Sequence, residues 1–322
     1  MDLYLDTPEP KPRPPSGQVS HFYILGDWDS TYLNDNIEAW LEEARNGRSS
    51  FYRELIQGSA TLPFLAVFTN VVETVFRIGD DLELSKDVQF LTIDVFDRYC
   101  MKQYEKYCGK IFDHQSSEEK LFQYFKNKVA DQYLIRLLSC LQLASKYLYT
   151  SNEVISTGTI KKWLDKAVPG TYSIDDIRKS EIRVLSDLNF QVGRGGNNVL
   201  FYVECLVYLA VSQELTDSTQ LYSTILRVQS VAYLKRQEIY HKLYNAMTNR
   251  WERDVQERIN SLPMECDSLL LAAGIVLTSV FLLSRQRSLL DKVATSLAKY
   301  IGVPSSADIE HLCKIMLHLI ID

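Results

Sequence analysis

After Asn34 the apolar positions recur with helical spacing in nearly every segment. Phe68, Val71, Val72, Val75 and Phe76 stand at i, i+3, i+4, i+7 and i+8, the stripe of an amphipathic helix. Val88, Leu91, Val95 and Tyr99 make a second stripe. Lys102–Gln132 then breaks the pattern with lysines, acids, serines and aromatics; His114–Ser117 reads as a loop and Glu118–Lys128 as a helical piece. Leu134–Lys146 is apolar on almost every side, which predicts a helix at the centre of its unit. Thr159–Lys166 predicts a short helix carrying Trp163. Ser173-Ile174-Asp175-Asp176 has the S-x-x-D spacing of a capping box, opening a helix through Ile177, Val184, Leu185 and Leu188. Five helices in succession, the third wrapped by the others, predict one all-α unit.

Three glycines within Gly193–Gly196, followed by Asn197 and Asn198, cannot continue a helix cheaply and mark a linker. A second helical series follows: Val199–Val211, Thr219–Leu234, Gln237–Trp251, Ser268–Leu283, Leu289–Tyr300 and Ala307–Ile320. Its middle member is again apolar and rich in small residues (Ala272, Ala273, Gly274). The halves share an architecture without sharing sequence.

Composition narrows the function. Thirteen glycines and nine prolines are about 7% of the 322 residues, against roughly 12% in average usage, in keeping with a mostly helical chain. Five of the prolines lie between Pro8 and Pro15, so the beginning of the chain reads as an extended tail. A net charge of −6 makes DNA or RNA a poor partner. The longest apolar run, Leu269–Leu283, is short of the roughly 20 residues of a membrane span. No apolar signal segment opens the chain, so the reading is intracellular, not secreted. The six cysteines form no C-x-x-C pair and read as buried free thiols. His311 and His318 are seven residues apart on one helix, about 10.5 Å, too far to share a zinc ion. The Gly193–Gly196 loop follows a helix instead of a strand and lacks a phosphate-loop spacing. No nucleophile elbow or kinase signature is present. The expectation is a non-enzyme with no metal and no cofactor.

Two charges stand out. Lys146 ends the central apolar helix, where a cation suits the helix dipole. Glu181 interrupts the stripe Ile177, Glu181, Val184, Leu188, where a carboxylate is costly unless paired or at the rim. On these residues the chain resembles the cyclin family. Phe96-Asp97-Arg98-Tyr99 is similar to the "IDRF" of a cyclin box, Leu141–Lys146 to its "LLASK", and Glu181–Phe190 to its "E-x-x-[IV]-L-x-x-L-x-F". The motifs fall in cyclin order on the second, third and fifth helices; the resemblance is strong from Phe64 to about Leu209 and weaker beyond. It implies an all-α fold of two consecutive five-helix cyclin-like units. The divisions it suggests are a disordered Pro-rich tail 1–20, a helical extension 21–60, a cyclin box 61–193 with insert 102–132, and a C-terminal cyclin-like fold 194–322. It also implies that Lys146 and Glu181 bind the partner kinase by gripping the start of its movable regulatory helix. Tyr147, Tyr149, Ile177 and Arg178 become candidates for the same interface.

Departures from the pattern narrow the branch. Val67-Phe68-Thr69-Asn70-Val71 stands where cell-cycle cyclins carry "MRxIL", and Thr74 where a Trp follows, so R-x-L substrate docking is not expected. After "LASK" come Tyr147, Leu148 and Tyr149 in place of an aromatic and two acids, and the 102–132 insert is long. Met101-Lys102-Gln103, Leu134–Lys146 with Arg136, Ser139 and Cys140, Ser180–Phe190 and Tyr202–Leu206 resemble the meiotic cyclin N-terminal domain-containing crossover proteins. That resemblance implies a nuclear regulatory subunit of a cyclin-dependent Ser/Thr kinase, a heterodimer with it, acting in meiotic crossover formation, with recombination factors as further partners and no direct contact with nucleic acid or membrane. The alternative it leaves open is a cyclin-fold scaffold that recruits recombination or ubiquitin-ligase factors without a kinase. Within the insert, His114–Glu119 is expected to be a mobile loop.

Overall fold

A computed structural model describes residues 35–46, 68–111, 127, 132–148, 154–193, 199–211, 218–252, 257, 261 and 264–321. The described residues are helical with short connections, and no strand occurs among them. In chain order the helices are α1 (35–46), α2 (Thr69–Asp81), α3 (Lys86–Ile111), α4 (Tyr133–Leu148), α5 (Thr157–Ala167), α6 (Ile174–Asp187), α7 (Val199–Ala210), α8 (Ser218–Leu234), α9 (Arg236–Thr248), α10 (Ser268–Leu283), α11 (Arg287–Ile301) and α12 (Ala307–Ile321). The all-α class expected from the periodicity is what the described residues adopt. The tail 1–20, the segment His114–Glu119, Tyr149 and Gly195–Asn198 lie outside the described residues.

α4 sits at the centre of the first group, packed against α3, α5 and α6. Every residue from Ile135 to Ser145 is buried, as a helix without a polar face must be. α10 plays the same part in the second group, touching α7, α8, α11 and α12, with Leu269–Val280 buried throughout. Gly274 lets α12 approach closely, since a methyl there would overlap the Leu312 side chain. Asp267 caps the start of α10 by accepting from the Leu270 amide at 3.0 Å.

α3 runs further than its apolar stripe suggested. It continues to Ile111, through the first residues of the polar insert. The physical reason is propensity: Met101-Lys102-Gln103-Tyr104-Glu105-Lys106 contains no breaker, so loss of the apolar stripe changes which face is wet without ending the helix. The extension is tied down from α6, whose Asp187 accepts from Gln103 Nε2 at 2.7 Å and Lys106 Nζ at 3.1 Å.

The two groups meet along α8 against α2 and α7 against α3. Tyr233 of α8 stacks on Phe90 of α3 with ring centroids 5.4 Å apart. Its hydroxyl donates to Asp94 Oδ1 at 2.7 Å. α1 packs on the second group: Ile37 and Leu41 are buried, Trp40 meets Phe201 of α7, and Arg45 donates to the Tyr300 carbonyl at the end of α11 at 2.9 Å. That guanidinium satisfies a helix-end carbonyl and suits the dipole there.

Candidate functional site

The geometry that brings Lys146 to Glu181 begins with two serines. Ser139 lies on α4 and Ser180 on α6, both buried, and their hydroxyls are hydrogen-bonded at 2.7 Å. Ser139 also donates to the Ile135 carbonyl at 2.8 Å, so the pair has its polar groups satisfied inside the core. The bond fixes how α4 lies on α6. Lys146 is seven residues after Ser139, nearly two whole turns, and so shares its face. Glu181 is the neighbour of Ser180. At the end of α4, Lys146 Nζ donates to Glu181 Oε1.

The end of α4 is held by its own motif. Gln142 donates to the Ile155 carbonyl and to Thr157 Oγ1, each at 3.2 Å. Ser145 Oγ accepts from the Ile155 amide at 3.2 Å and donates to the Gln142 carbonyl at 2.9 Å. The chain entering α5 is therefore pinned to α4 through Gln142 and Ser145, leaving Lys146 and Tyr147 as the first outward residues. On α6, Ser173 accepts from the Asp176 amide at 3.2 Å while Asp176 Oδ2 accepts from the Ser173 amide at 2.9 Å. This is the capping box expected from the sequence.

Lys146 and Glu181 side chains are 42% and 15% exposed, so the pair lies at the surface. With the lysine open to water and the carboxylate largely covered, the pair sits at the rim of the core, where a single ion pair contributes on the order of 1 kcal/mol to stability. Exposed apolar side chains occur on the same elements: Tyr147 beside Lys146 is 57% exposed, Ile182 on α6 is 65% and Phe190 after α6 is 72%. Phe190 is presented by an irregular end to α6. Asn189 and Phe190 adopt consecutive left-handed conformations, with φ of 52° and 61°. Asn tolerates this region; Phe does so only at a cost. The Phe190 amide donates back to the Leu185 carbonyl at 2.9 Å, closing the turn. Gly193 then passes directly beneath the Tyr147 ring, where a methyl would overlap it.

The six residues singled out in the sequence do not all share this surface. Lys146, Glu181 and Tyr147 do. Arg178 is exposed on the same helix and pairs with Asp175 at 3.6 Å. Ile177 is fully buried in the core, so its side chain is not an interface group. Its place on the stripe that packs α6 inward explains why. Tyr149 lies outside the described residues. Ile182 and Phe190 were not picked out from the sequence: Ile182 was hidden as one more apolar residue on a helix, Phe190 as the end of a motif.

Behind this face lies a buried polar seam. Arg98 of α3 donates to the Gln191 carbonyl at 2.7 Å and also to the Val192 carbonyl, bracing the segment after α6. Asp94 and Asp97 neighbour it, and Arg236 of α9 reaches Asp97 at 3.8 Å. Burial drives the Asp94 carboxyl up to about 7, against the opposing influence of Arg236, Tyr233 and Arg98. The described thiols Cys100, Cys140, Cys205, Cys266 and Cys313 are free, and burial pushes each one up. No group of His, Cys, Asp and Glu that could hold a metal occurs among the described residues. No described helix is long and apolar enough to cross a membrane.

Two helical groups, each wrapped on an apolar centre, with a Lys–Glu pair joining the third and fifth helices of the first, make a cyclin-like arrangement. The chain is 27% identical over 254 residues to cyclin N-terminal domain-containing protein 1 of Mus musculus, which covers 78% of this chain and 74% of that protein. It is 29% identical over 218 residues to cyclin N-terminal domain-containing protein 1 of Homo sapiens, covering 66% of this chain and 64% of that protein. No family model matches the sequence. The similarities support a cyclin-like family.

Proposed function

We propose that the chain is a regulatory subunit that binds and activates a cyclin-dependent Ser/Thr protein kinase, without catalytic activity of its own. The observation that carries this reading is the Lys–Glu pair at the rim between α4 and α6, beside the exposed Tyr147, with the exposed Ile182 on α6 and Phe190 just after it. Exposed aromatic and aliphatic groups around polar anchors are what a partner interface needs at its centre. Three ammonium donors and the carboxylate's acceptor sites can satisfy backbone groups at a partner helix's end. Activation would follow by population shift, the bound kinase being held in the conformation whose regulatory helix is docked. The motifs that resemble the meiotic crossover branch, Met101–Gln103, Leu134–Lys146 and Ser180–Phe190, support a place in the nucleus of meiotic cells.

The test is phosphotransfer by purified cyclin-dependent kinases with and without the purified chain. Stimulation of at least one kinase, abolished in a Phe190→Ala variant, is expected. If no kinase is bound or stimulated, the chain is a scaffold. The meiotic assignment is tested by tagging the chain in germ cells: foci on meiotic chromosomes are expected, and a diffuse cytoplasmic signal would overturn it.

A further inference from the structure

The docking face is not held by the first helical group alone. Arg98 braces its edge by donating to the carbonyls of Gln191 and Val192, the residues between Phe190 and the glycine under Tyr147. The same half-buried guanidinium lies beside the buried Asp94 and Asp97. Both carboxylates are contacted from the second group: Asp94 accepts from the Tyr233 hydroxyl at 2.7 Å, and Asp97 faces Arg236 at 3.8 Å. Asp94, Asp97 and Arg98 lie within little more than one turn of α3, so they move together. α3 is thus contacted on one side by α8 and α9 and on the other reaches the end of α6.

We infer that Arg98 is the positioning residue of the Lys146–Glu181 face, and that the second helical group sets it through Tyr233 on Asp94 and Arg236 on Asp97. The physical case rests on fixed geometry. One guanidinium with two carbonyl acceptors has its plane defined, and its charge is set beside the buried acids Asp97 and Asp94. Whatever shifts α8 and α9 shifts those carboxylates and the carbonyls they help orient. A second partner that docks on the second group would act on the first face by this route. The inference rests on the docking face proposed above, but its test does not need the kinase.

Amide hydrogen exchange in the free full-length chain reads the coupling. The amides of Asn189, Phe190 and Gln191 are hydrogen-bonded and so give measurable protection. Arg98→Met should raise their exchange about tenfold or more. Tyr233→Phe and the neutralised pair Asp97→Asn/Arg236→Met should each raise it about threefold or more, with exchange in α10 little changed. Adding Tyr233→Phe to Arg98→Met should then add nothing, because both act through one guanidinium. Unchanged exchange at 189–191 in both second-group variants would overturn the inference. So would a uniform rise across the molecule, which marks simple destabilisation, or independent effects that multiply in the double variant. A kinase that fails to bind would sink the docking reading and leave this measurement standing.

Discussion

Phe190 shows how a single residue can be spent on display. At φ 61° with 72% of its surface exposed, it gains little from burial and carries backbone strain. Phe190→Gly relieves that strain, so the free chain should be equally stable or more stable by about 1 kcal/mol. Binding to a partner should fall all the same. A clear drop in Tm would mean instead that the ring packs on the fold. Asp94 makes a second residue-scale case. Its folded-state pKa, about 7, lies above the usual carboxylate value, so the native state holds the proton more tightly. The stability this contributes is complete below about pH 4 and is lost as pH rises through about 7. Asp94→Asn keeps an acceptor for Tyr233. The difference in Tm, variant minus parent, should therefore move in favour of the variant between pH 4 and pH 8. A difference that stays constant with pH would contradict the assignment.

Among the elements, the helices were legible where one face is apolar or where all faces are. α4 and α10 read as central from their lack of a polar side, and α6 from its capping box. Less legible was the length of α3, because helix propensity continues after the apolar stripe ends at the insert. Pairings across the chain were not legible at all: nothing local to Asp97 points to Arg236, which is 139 positions away. Glu181 was noticed because an acid on an apolar stripe is costly; Ile182 passed unnoticed because an apolar residue is not. Two predictions belong at this scale. Ser173→Ala removes one half of the capping box at the start of α6 and should cost about 1 kcal/mol, read as a Tm lowered by a few degrees. An unchanged Tm would show that the cap is dispensable. The second concerns the surface between α2 and α4. The Thr74 hydroxyl on α2 donates to the Asn70 carbonyl at 2.7 Å, and Tyr133 of α4 packs edge-on to Phe96. Asn70 and Thr74 are polar where an apolar groove would be needed. Titration with R-x-L peptides should show no binding; micromolar affinity, about −8 kcal/mol, would contradict this.

At the scale of the whole molecule, two central helices hold two helical groups, and a buried polar seam joins them behind one outward face. The seam and the serine pair are internal and satisfy the fold. The Lys146–Glu181 pair and the exposed apolar side chains around it do not, and that contrast is the reason to read the face as a docking surface. The most direct measurement is the affinity of a purified cyclin-dependent kinase for the parent chain and for the exchanged double variant Lys146→Glu/Glu181→Lys. The exchange keeps an ion pair between α4 and α6 but sets an acid at the C-terminal end of α4, so helical content should match the parent and stability should fall by no more than about 1 kcal/mol. Each charge, however, would now meet the wrong groups of the partner. A loss of at least about 2 kcal/mol is expected for each anchor, roughly thirtyfold in affinity apiece. A double variant that folds normally and binds the kinase as tightly as the parent would contradict the account.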